Sequence, residues 1–155
     1  MQKIITNLCI IHQHPKILLG MKKRGFGSGR WNGFGGKVAD HESVIGSLHR
    51  ELKEEANIEV ENPVKLGILE FEFIKNGEVI EVHIFKASKF KGEPTETEEM
   101  SPKWFYVDEI PFADMWPDDI YWMPLFLKNK KFKGKFTFGE NDSVLESNLE
   151  EVEDL

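Results

Sequence analysis

Two runs rich in β-branched and apolar residues open the chain, at positions 3–11 and 16–21. The segment His12-Gln13-His14-Pro15 separates them. Apolar runs joined by a short polar, proline-containing segment predict a β-hairpin. The first two strands of the protein are therefore expected to be neighbours.

A second hairpin is predicted where residues 65–74 and 79–87 alternate in polarity around Asn76-Gly77. An Asn-Gly pair between alternating segments favours a tight turn. Shorter strands are expected at 104–107 and 132–138, and the C-terminal segment 139–155 is compatible with either strand or helix.

One amphipathic helix is predicted between the hairpins. Apolar residues recur there every four positions, with Ile45 expected on the same side: Val44, Leu48, Leu52 and Ala56. This spacing makes one apolar stripe along a helix. A second helix is expected over residues 118–127, with Pro124 as a kink or an early end.

Many strands with two helices predict an α+β fold, a mixed β-sheet with helices packed on it. The 155 residues carry 40% hydrophobic and 30% charged side chains, which is the ordinary globular range. A chain of this length commonly forms one domain, so a single domain over residues 1–155 is expected.

Charge is distributed unevenly along the chain. The net charge is -7, and residues 139–155 hold seven of the 27 acidic residues and no base. The remainder balances 20 bases against 20 acids. The overall charge therefore does not exclude an anionic ligand on the body of the protein.

Several classes of protein are not expected. No apolar run approaches the length of ~20 residues that a membrane span needs, and the N-terminus lacks a signal-peptide pattern. The single Cys9 lies in an apolar stretch, which excludes a disulfide framework. We expect a soluble, monomeric protein of the cytoplasm, with the nucleus or the mitochondrion as further locations.

Candidate chemistry is concentrated on the first helix. Glu51, Glu54 and Glu55 stand at i, i+3 and i+4, so their carboxylates share one face. Like charges on adjacent turns repel each other, and carboxylate oxygens are ligands that Mg²⁺ prefers. The alternative is a solvated, charged helix face.

The surrounding sequence favours the metal site. From Gly36 the chain reads GKVADHESVIGSLHRELKEEANI, which resembles the Nudix box, the loop-helix-loop signature of hydrolases that cleave nucleoside diphosphates linked to another moiety. The resemblance implies a Nudix fold and a Mg²⁺ cofactor, with Mn²⁺ as a substitute. It implies catalytic roles for Arg50, Glu51 and Glu55. The implied metal ligands are Gly35, Glu51, Glu54, Glu55 and Glu99.

One position departs from the box, because Asn57 stands where glycine is expected. Asparagine is the next most tolerant residue for a left-handed helix cap. We therefore expect a slightly less stable helix end and an intact active site.

Further segments resemble the MutT-homologue branch of the Nudix family over nearly the whole chain: GMKKRGFGSGRWNGFGGKV, FEF at 71–73 and DMWPDDIYWMPL from Asp114. That branch hydrolyses oxidised purine nucleoside triphosphates, such as 8-oxo-dGTP and 2-hydroxy-dATP, to the monophosphate and pyrophosphate. The resemblance implies a substrate site formed by Lys22, Phe26, Asn32, Phe34, Gly35, Gly36, Lys37, Phe71, Trp116, Pro117, Asp118 and Asp119.

These residue types suit a purine. Trp116 offers a flat face for stacking. If Asp118 and Asp119 both face the base, burial and mutual repulsion should keep one of them protonated, so that it can donate a hydrogen bond. The alternative for these aspartates is helix capping, and for Phe71 it is a place in the core.

Other candidates have plain alternatives. Asn32 supplies an amide for a purine edge or belongs to an Asn-Gly turn. Lys22 contacts the substrate or ends a solvated strand, and Glu99 would be a surface residue without the resemblance. Asn7 stands where the resembled branch has threonine, so no base contact is assigned to it.

The sequence is also compatible with other substrates and with a function that involves no catalysis. The substrate could be a dinucleoside polyphosphate, a methylated purine triphosphate or an RNA cap, or the domain could bind nucleotides without turnover. Duplex nucleic acid is not an expected partner, because five lysines between 128 and 135 are its only support.

Overall fold

A computed structural model of the chain describes residues 3–155 and is built on an eight-stranded mixed sheet. Met1 and Gln2, which belong to the expected domain, lie outside the described residues. The strands are β1 (Lys3–Gln13), β2 (Lys16–Lys22), β3 (Trp31–Asn32), β4 (Glu59–Glu61), β5 (Val64–Phe73), β6 (Val79–Ala87), β7 (Lys89–Lys91), β8 (Met100–Tyr106), β9 (Lys131–Phe138) and β10 (Val144–Val152). The helices are α1 (Val44–Ala56) and α2 (Asp119–Leu127).

The strand order is β10-β9-β5-β6-β1-β2-β3, and β8 pairs with β2. The β1–β6 and β5–β9 pairs are parallel, while the remaining pairs are antiparallel. β4 and β7 form a separate two-stranded sheet. Both predicted hairpins and the expected α+β class with a mixed sheet are confirmed.

The two helices cover opposite faces of the sheet, which explains why β1 is apolar on both sides. Cys9 and Ile11 pack in one core with Leu48 and Leu52 of α1. Ile10 belongs to the other core, which contains Trp122, Met123 and Phe126 of α2. Neither helix in residues 3–155 is long enough and apolar enough to cross a membrane.

Helix α1 follows the predicted stripe, with one exception. Leu48, Leu52 and Ala56 are buried, whereas Ile45 is 41% exposed, so its expected place on the buried side is wrong. The helix begins after Ser43, whose hydroxyl accepts a hydrogen bond from the Gly46 N–H. It ends at Asn57, which adopts the left-handed conformation with φ 60°.

In the C-terminal third, the structure corrects one sequence prediction and decides between the alternatives of two others. The strand expected at 104–107 is longer and begins at Met100. Pro124 lies inside α2 and does not end it. Most of the acidic segment forms strand β10, which pairs antiparallel with β9 at one end of the sheet.

The edge of β1 is shared between two partners. Residues 11–13 pair with β2. Residues 5–9 pair instead with residues 33–38, the glycine-rich segment that follows β3. Asn7 donates its backbone N–H to the Gly36 carbonyl at 3.0 Å, and Cys9 exchanges backbone hydrogen bonds with Phe34 at 2.7 and 2.9 Å. The glycine-rich segment is thereby held against the sheet.

The left-handed cap at Asn57 generates a stability prediction. Replacing Asn57 with Ala should lower the free energy of unfolding by about 1 kcal/mol, because alanine has a steric penalty in this conformation. Asn57→Gly should cause no loss, since glycine adopts this conformation freely. Urea unfolding of both variants measures the difference, and equal losses would contradict the role of the cap.

Candidate active site

The glycine-rich segment brings a backbone donor to the glutamate helix. Gly35 donates its N–H to Oε1 of Glu55 at 2.8 Å. A side chain at Gly35 would collide with the Asn7 carbonyl oxygen, which lies 2.0 Å from the ideal Cβ position. At Gly36 a Cβ would lie 2.8 Å from Oε1 of Glu51. Glycine is therefore required at position 35 by the backbone of β1, whereas a side chain at position 36 would displace the Glu51 carboxylate.

Arg50 organises the carboxylates around it. Its guanidinium makes a two-point contact with Glu42, from Nε at 3.1 Å and from Nη2 at 2.6 Å. Nη1 bridges Oε1 of Glu51 at 2.9 Å and Oε2 of Glu54 at 3.3 Å. Arg50 thus makes a bidentate pair with Glu42, which lies within the box sequence, and links that pair to the helix glutamates.

The carboxylates have unequal pKa values because their surroundings differ. The hydrogen bonds from Arg50 lower the pKa of Glu42 to about 2. Burial raises the pKa of Glu55 to about 8, and the nearby Glu51 and Glu99 add to the increase. Burial also raises the pKa of Glu51. The buried Glu55 and the half-buried Glu51 are therefore the electrostatically unfavourable part of the cluster.

These carboxylates suit a divalent cation that is shared with a substrate. Mg²⁺ is commonly held by one or two carboxylates together with substrate phosphates, and Glu51 and Glu55 both lie beside the glycine-rich segment. The nearest cationic side chain to Glu55 is Lys22, with 4.0 Å between Nζ and Oε2. Within residues 3–155, no three acidic, histidine or cysteine side chains are arranged to hold a metal ion alone.

A cavity of about 380 Å³ extends from Glu55 to the N-terminus of α2. Phe26, Phe71 and Trp116 contribute aromatic walls, and Phe26 is 63% exposed. Most of the remaining lining is apolar. An apolar cavity with a few convergent polar groups is the usual form of a small-molecule site.

Asp118 and Asp119 are both buried at the cavity. Asp118 does not cap α2 through its side chain; its Oδ2 instead accepts a hydrogen bond from the Trp122 indole N–H at 2.8 Å. Within the described residues, Oδ1 of Asp118 and Oδ2 of Asp119 have no hydrogen-bond partner. Burial raises the pKa of both carboxyls, and repulsion from Asp118 raises that of Asp119 further.

Most of the residues predicted to bind substrate line this cavity. They are Lys22, Phe26, Asn32, Gly35, Gly36, Lys37, Phe71, Trp116, Asp118 and Asp119, together with Glu55. The amide oxygen of Asn32 accepts a hydrogen bond from the Gly33 N–H at 2.8 Å, which leaves its amide nitrogen to face a ligand.

Two residues of the predicted substrate site do not line the cavity, Phe34 and Pro117. Phe34 is fully buried in the core beneath α1, so its ring does not face the cavity, and its assignment to the substrate site stays a prediction. Its backbone serves instead as the partner of Cys9. Pro117 is only partly buried and precedes the aspartate pair.

Two of the predicted metal ligands lie at the edge of the cluster. Glu99 pairs with Arg24 at 2.8 Å, and this contact lowers the pKa of Glu99. Glu54 is exposed and, among residues 3–155, forms its one ion pair with Arg50. Their assignment as metal ligands stays a prediction.

The sequence did not identify several residues that line the cavity, namely Ile4, Thr6, Asn7, Leu8, Gly33, Phe73, Glu78, Ile80, Val82, Ile84, Met100 and Trp122. Most are apolar strand residues whose alternation marks a buried face but does not tell a core from a pocket. Asn7 is buried and donates its side-chain amide to the Ser47 hydroxyl. Its Oδ1 has no partner among residues 3–155.

Comparisons with known proteins identify the family. A model of the NUDIX domain matches residues 2–126. The chain is 52% identical to the oxidized purine nucleoside triphosphate hydrolase of Mus musculus over 149 residues, covering 96% of each chain. It is 50% identical to the protein of the same name in Danio rerio over 153 residues, covering 99% of this chain and 97% of the relative.

Solved structures agree with this assignment. A crystal structure described as the mutator MutT protein of Bacillus halodurans superimposes with a TM-score of 0.84 at 27% identity, covering 95% of this chain and 97% of the other. Nudix hydrolases generally use divalent metal ions and act on small nucleotide substrates. The box around α1, the sheet and these relatives agree, and the chain is a member of the Nudix hydrolase family.

Proposed function

We propose that this protein hydrolyses oxidised purine nucleoside triphosphates, 8-oxo-dGTP and 2-hydroxy-dATP, to the monophosphate and pyrophosphate, and so removes mutagenic precursors from the nucleotide pool. One observation carries the proposal. A single cavity joins the glutamate helix, at Glu55, to two buried aspartates that lack a full set of partners. The names of the mouse and zebrafish relatives support the same substrate class.

The phosphate end of the cavity supplies positioning and a proton acceptor. Oε1 of Glu55 accepts a hydrogen bond from the Gly35 N–H. Oε2 is therefore the oxygen that we assign to a water molecule. Lys22 and Lys37 line the same end and offer positive charge to a polyphosphate. Arg50 fixes Glu51 and Glu54 through its own anchor on Glu42. Preorganised groups of this kind lower the barrier without reorganising during the reaction.

Mg²⁺ is the proposed cofactor, held by Glu51 and Glu55 with contributions from Gly35, Glu54 and Glu99, and Mn²⁺ should substitute. When bound, it neutralises charge on the bridging phosphates. The carboxylate set of α1 is suited to such a hard cation.

The purine end explains how one site can accept two oxidised bases. A buried carboxyl that keeps its proton donates a hydrogen bond, whereas an ionised one only accepts. Because Asp118 and Asp119 repel each other and are both buried, one proton is shared between them near neutral pH. The pair can therefore present a donor and an acceptor to either a guanine-type or an adenine-type edge, while Trp116 stacks on the ring.

The molecular context of the activity is also proposed. The 155 residues act as one catalytic domain, which is supported by β9 and β10 continuing the sheet beyond the segment that the NUDIX model matches. We also propose that the enzyme is a monomer that acts on free nucleotides of the cytoplasm.

Release of pyrophosphate from 8-oxo-dGTP, 2-hydroxy-dATP and dGTP tests the proposal directly. Each oxidised substrate should give a kcat/KM at least about ten-fold above that of dGTP, because discrimination by a polar site is commonly worth more than 1 kcal/mol. Chelation of divalent ions should abolish release, and Glu51→Gln is the matched inactive control. A preference for dGTP, a dinucleoside polyphosphate, a methylated purine triphosphate or an RNA cap would contradict the assignment.

The aspartate pair generates a specificity prediction. Asp119→Asn fixes one donor and one acceptor on the side chain and removes the shared proton. The ratio of kcat/KM values for 8-oxo-dGTP and 2-hydroxy-dATP should therefore change by about ten-fold, the usual cost of one misplaced hydrogen bond. Asp114→Asn, an exposed neighbour, should leave the ratio unchanged. Equal losses on both substrates would argue against proton sharing.

The raised pKa of Asp119 also predicts a pH dependence of stability. The folded state binds more protons than the unfolded state above about pH 4, so the free energy of unfolding should fall as the pH rises through neutrality. Asp119→Asn should reduce this fall, measured by urea unfolding at pH 5 and pH 8 without metal. Glu55 keeps a residual slope of the same sign. Parallel pH profiles for both proteins would refute the assigned direction.

A further inference from the structure

Arg30 lies against the aromatic wall of the cavity without lining the cavity itself. Its guanidinium carbon is 4.3 Å from the centroid of the Trp116 ring. Stacking of a guanidinium on tryptophan is a favourable cation–π contact. The backbone of Arg30 is held as well, because its carbonyl accepts a hydrogen bond from Lys22 at 3.1 Å.

Asp142, from the C-terminal part of the sequence, forms an ion pair with the guanidinium of Arg30. Its Oδ2 accepts a partly buried hydrogen bond from Nη1 of Arg30 at 2.8 Å. Asp142 belongs to the turn between β9 and β10, in which both Asn141 and Asp142 have left-handed backbones with φ 55° and 58°. The sequence did not predict where the acidic C-terminal segment lies. The turn at its start, which holds Asp142, contacts Arg30 beside the aromatic wall of the cavity.

The turn itself is fixed by backbone hydrogen bonds. Gly139 donates to the Ser143 carbonyl at 2.8 Å, and Asp142 donates to the Gly139 carbonyl at 3.2 Å. Two consecutive left-handed residues other than glycine carry a conformational cost. This conformation presents the Asp142 carboxylate to Arg30.

Trp116 is enclosed by the same segments. A Cβ on Gly27 would lie 3.1 Å from the indole Nε1. The rings of Phe26, Phe73 and Phe138 have centroids at 5.1, 6.2 and 5.9 Å from that of Trp116. The loop between β2 and β3, through Phe26 and Gly27, and the end of β9, through Phe138, therefore both contact the Trp116 ring.

The charge of Arg30 reaches the base-reading pair too. It lowers the pKa of Asp118 and of Asp119, against the larger effect of burial. Displacement of the Arg30 guanidinium would thus alter both the contact with Trp116 and the protonation of the two aspartates.

We propose that Arg30 and Asp142 form a latch, meaning the ion pair between these two residues, that fixes the Trp116 ring for purine binding. Arg30 is a positioning residue that acts through Trp116, and Asp142 holds Arg30. The latch makes the β9–β10 turn a determinant of base affinity, and this consequence rests on the proposed function.

Asp142→Asn is the central variant, because asparagine tolerates the left-handed backbone and removes only the charge. Arg30→Leu removes the cation from the other side. Glu140→Gln is the matched control, since Glu140 lies in the same turn, loses the same charge and is exposed. Thermal unfolding of each variant establishes that the fold is kept.

The position of the ring is measured without substrate by labelling the tryptophans with fluorine and recording ¹⁹F NMR spectra. Loss of one resonance in Trp116→Phe identifies the signal of Trp116. Asp142→Asn and Arg30→Leu should shift that signal and leave that of Trp104 in place, whereas Glu140→Gln should shift neither. An unmoved Trp116 signal in Asp142→Asn would overturn the latch.

The consequence for recognition is measured by calorimetric binding of 8-oxo-dGMP without metal. Asp142→Asn should weaken binding about three- to ten-fold, the range for loss of one cation–π contact. Inhibition by pyrophosphate should be unchanged, because the phosphate end is untouched. Arg30→Leu combined with Asp142→Asn should bind no more weakly than Arg30→Leu alone, since the two residues act in series.

The two proposals fail in different ways. If the natural chain does not bind 8-oxo-dGMP, the proposed substrate class is wrong, and the ¹⁹F signal still decides whether the latch exists. If the natural chain binds and Asp142→Asn binds equally well, the role of the latch in recognition is wrong while the proposed function stands.

Discussion

The packing of Gly35 against the backbone of β1 is the constraint on which the rest of the site depends. The ideal Cβ position at Gly35 lies only 2.0 Å from the Asn7 carbonyl oxygen, so a side chain there would push the segment off the strand. With the segment in place, its N–H meets Glu55 and its neighbour Gly36 lies under Glu51. One steric condition in the sheet thus determines where two carboxylates of a helix are held.

The site concentrates groups that oppose folding. Glu55, Asp118 and Asp119 are buried acids whose pKa values are raised by desolvation, and a buried acid in its ionised form is unfavourable unless it is paired. Two apolar cores on the faces of the sheet offset this cost. Lys22 and Arg30 provide compensating positive charge, Lys22 beside Glu55 and Arg30 beside the two aspartates.

Sequence reasoning succeeded where the determinants are local. The stripe of α1, its Asn57 cap, the Asn-Gly hairpin and the spacing of the glutamates all depend on neighbours within one element. It failed where the outcome depends on tertiary packing. Ile45 has the right periodicity but no partner element over it, and the loop position of Phe34 does not indicate that its ring turns into the core. The contact between Arg30 and Asp142 spans 112 positions, and no periodicity encodes it.

The location of the two helices on opposite faces of the sheet divides the enzyme into separable halves. The carboxylates of α1 lie within residues 51–55 and are joined to Glu42 by Arg50, whereas the aromatic wall and its supports come mainly from residues 116–142 together with residues 26–30. A change in the second group leaves the hydrogen bonds of the first intact. A substitution among residues 116–142 can therefore alter the aromatic wall of the cavity without breaking the hydrogen bonds between Arg50 and the glutamates.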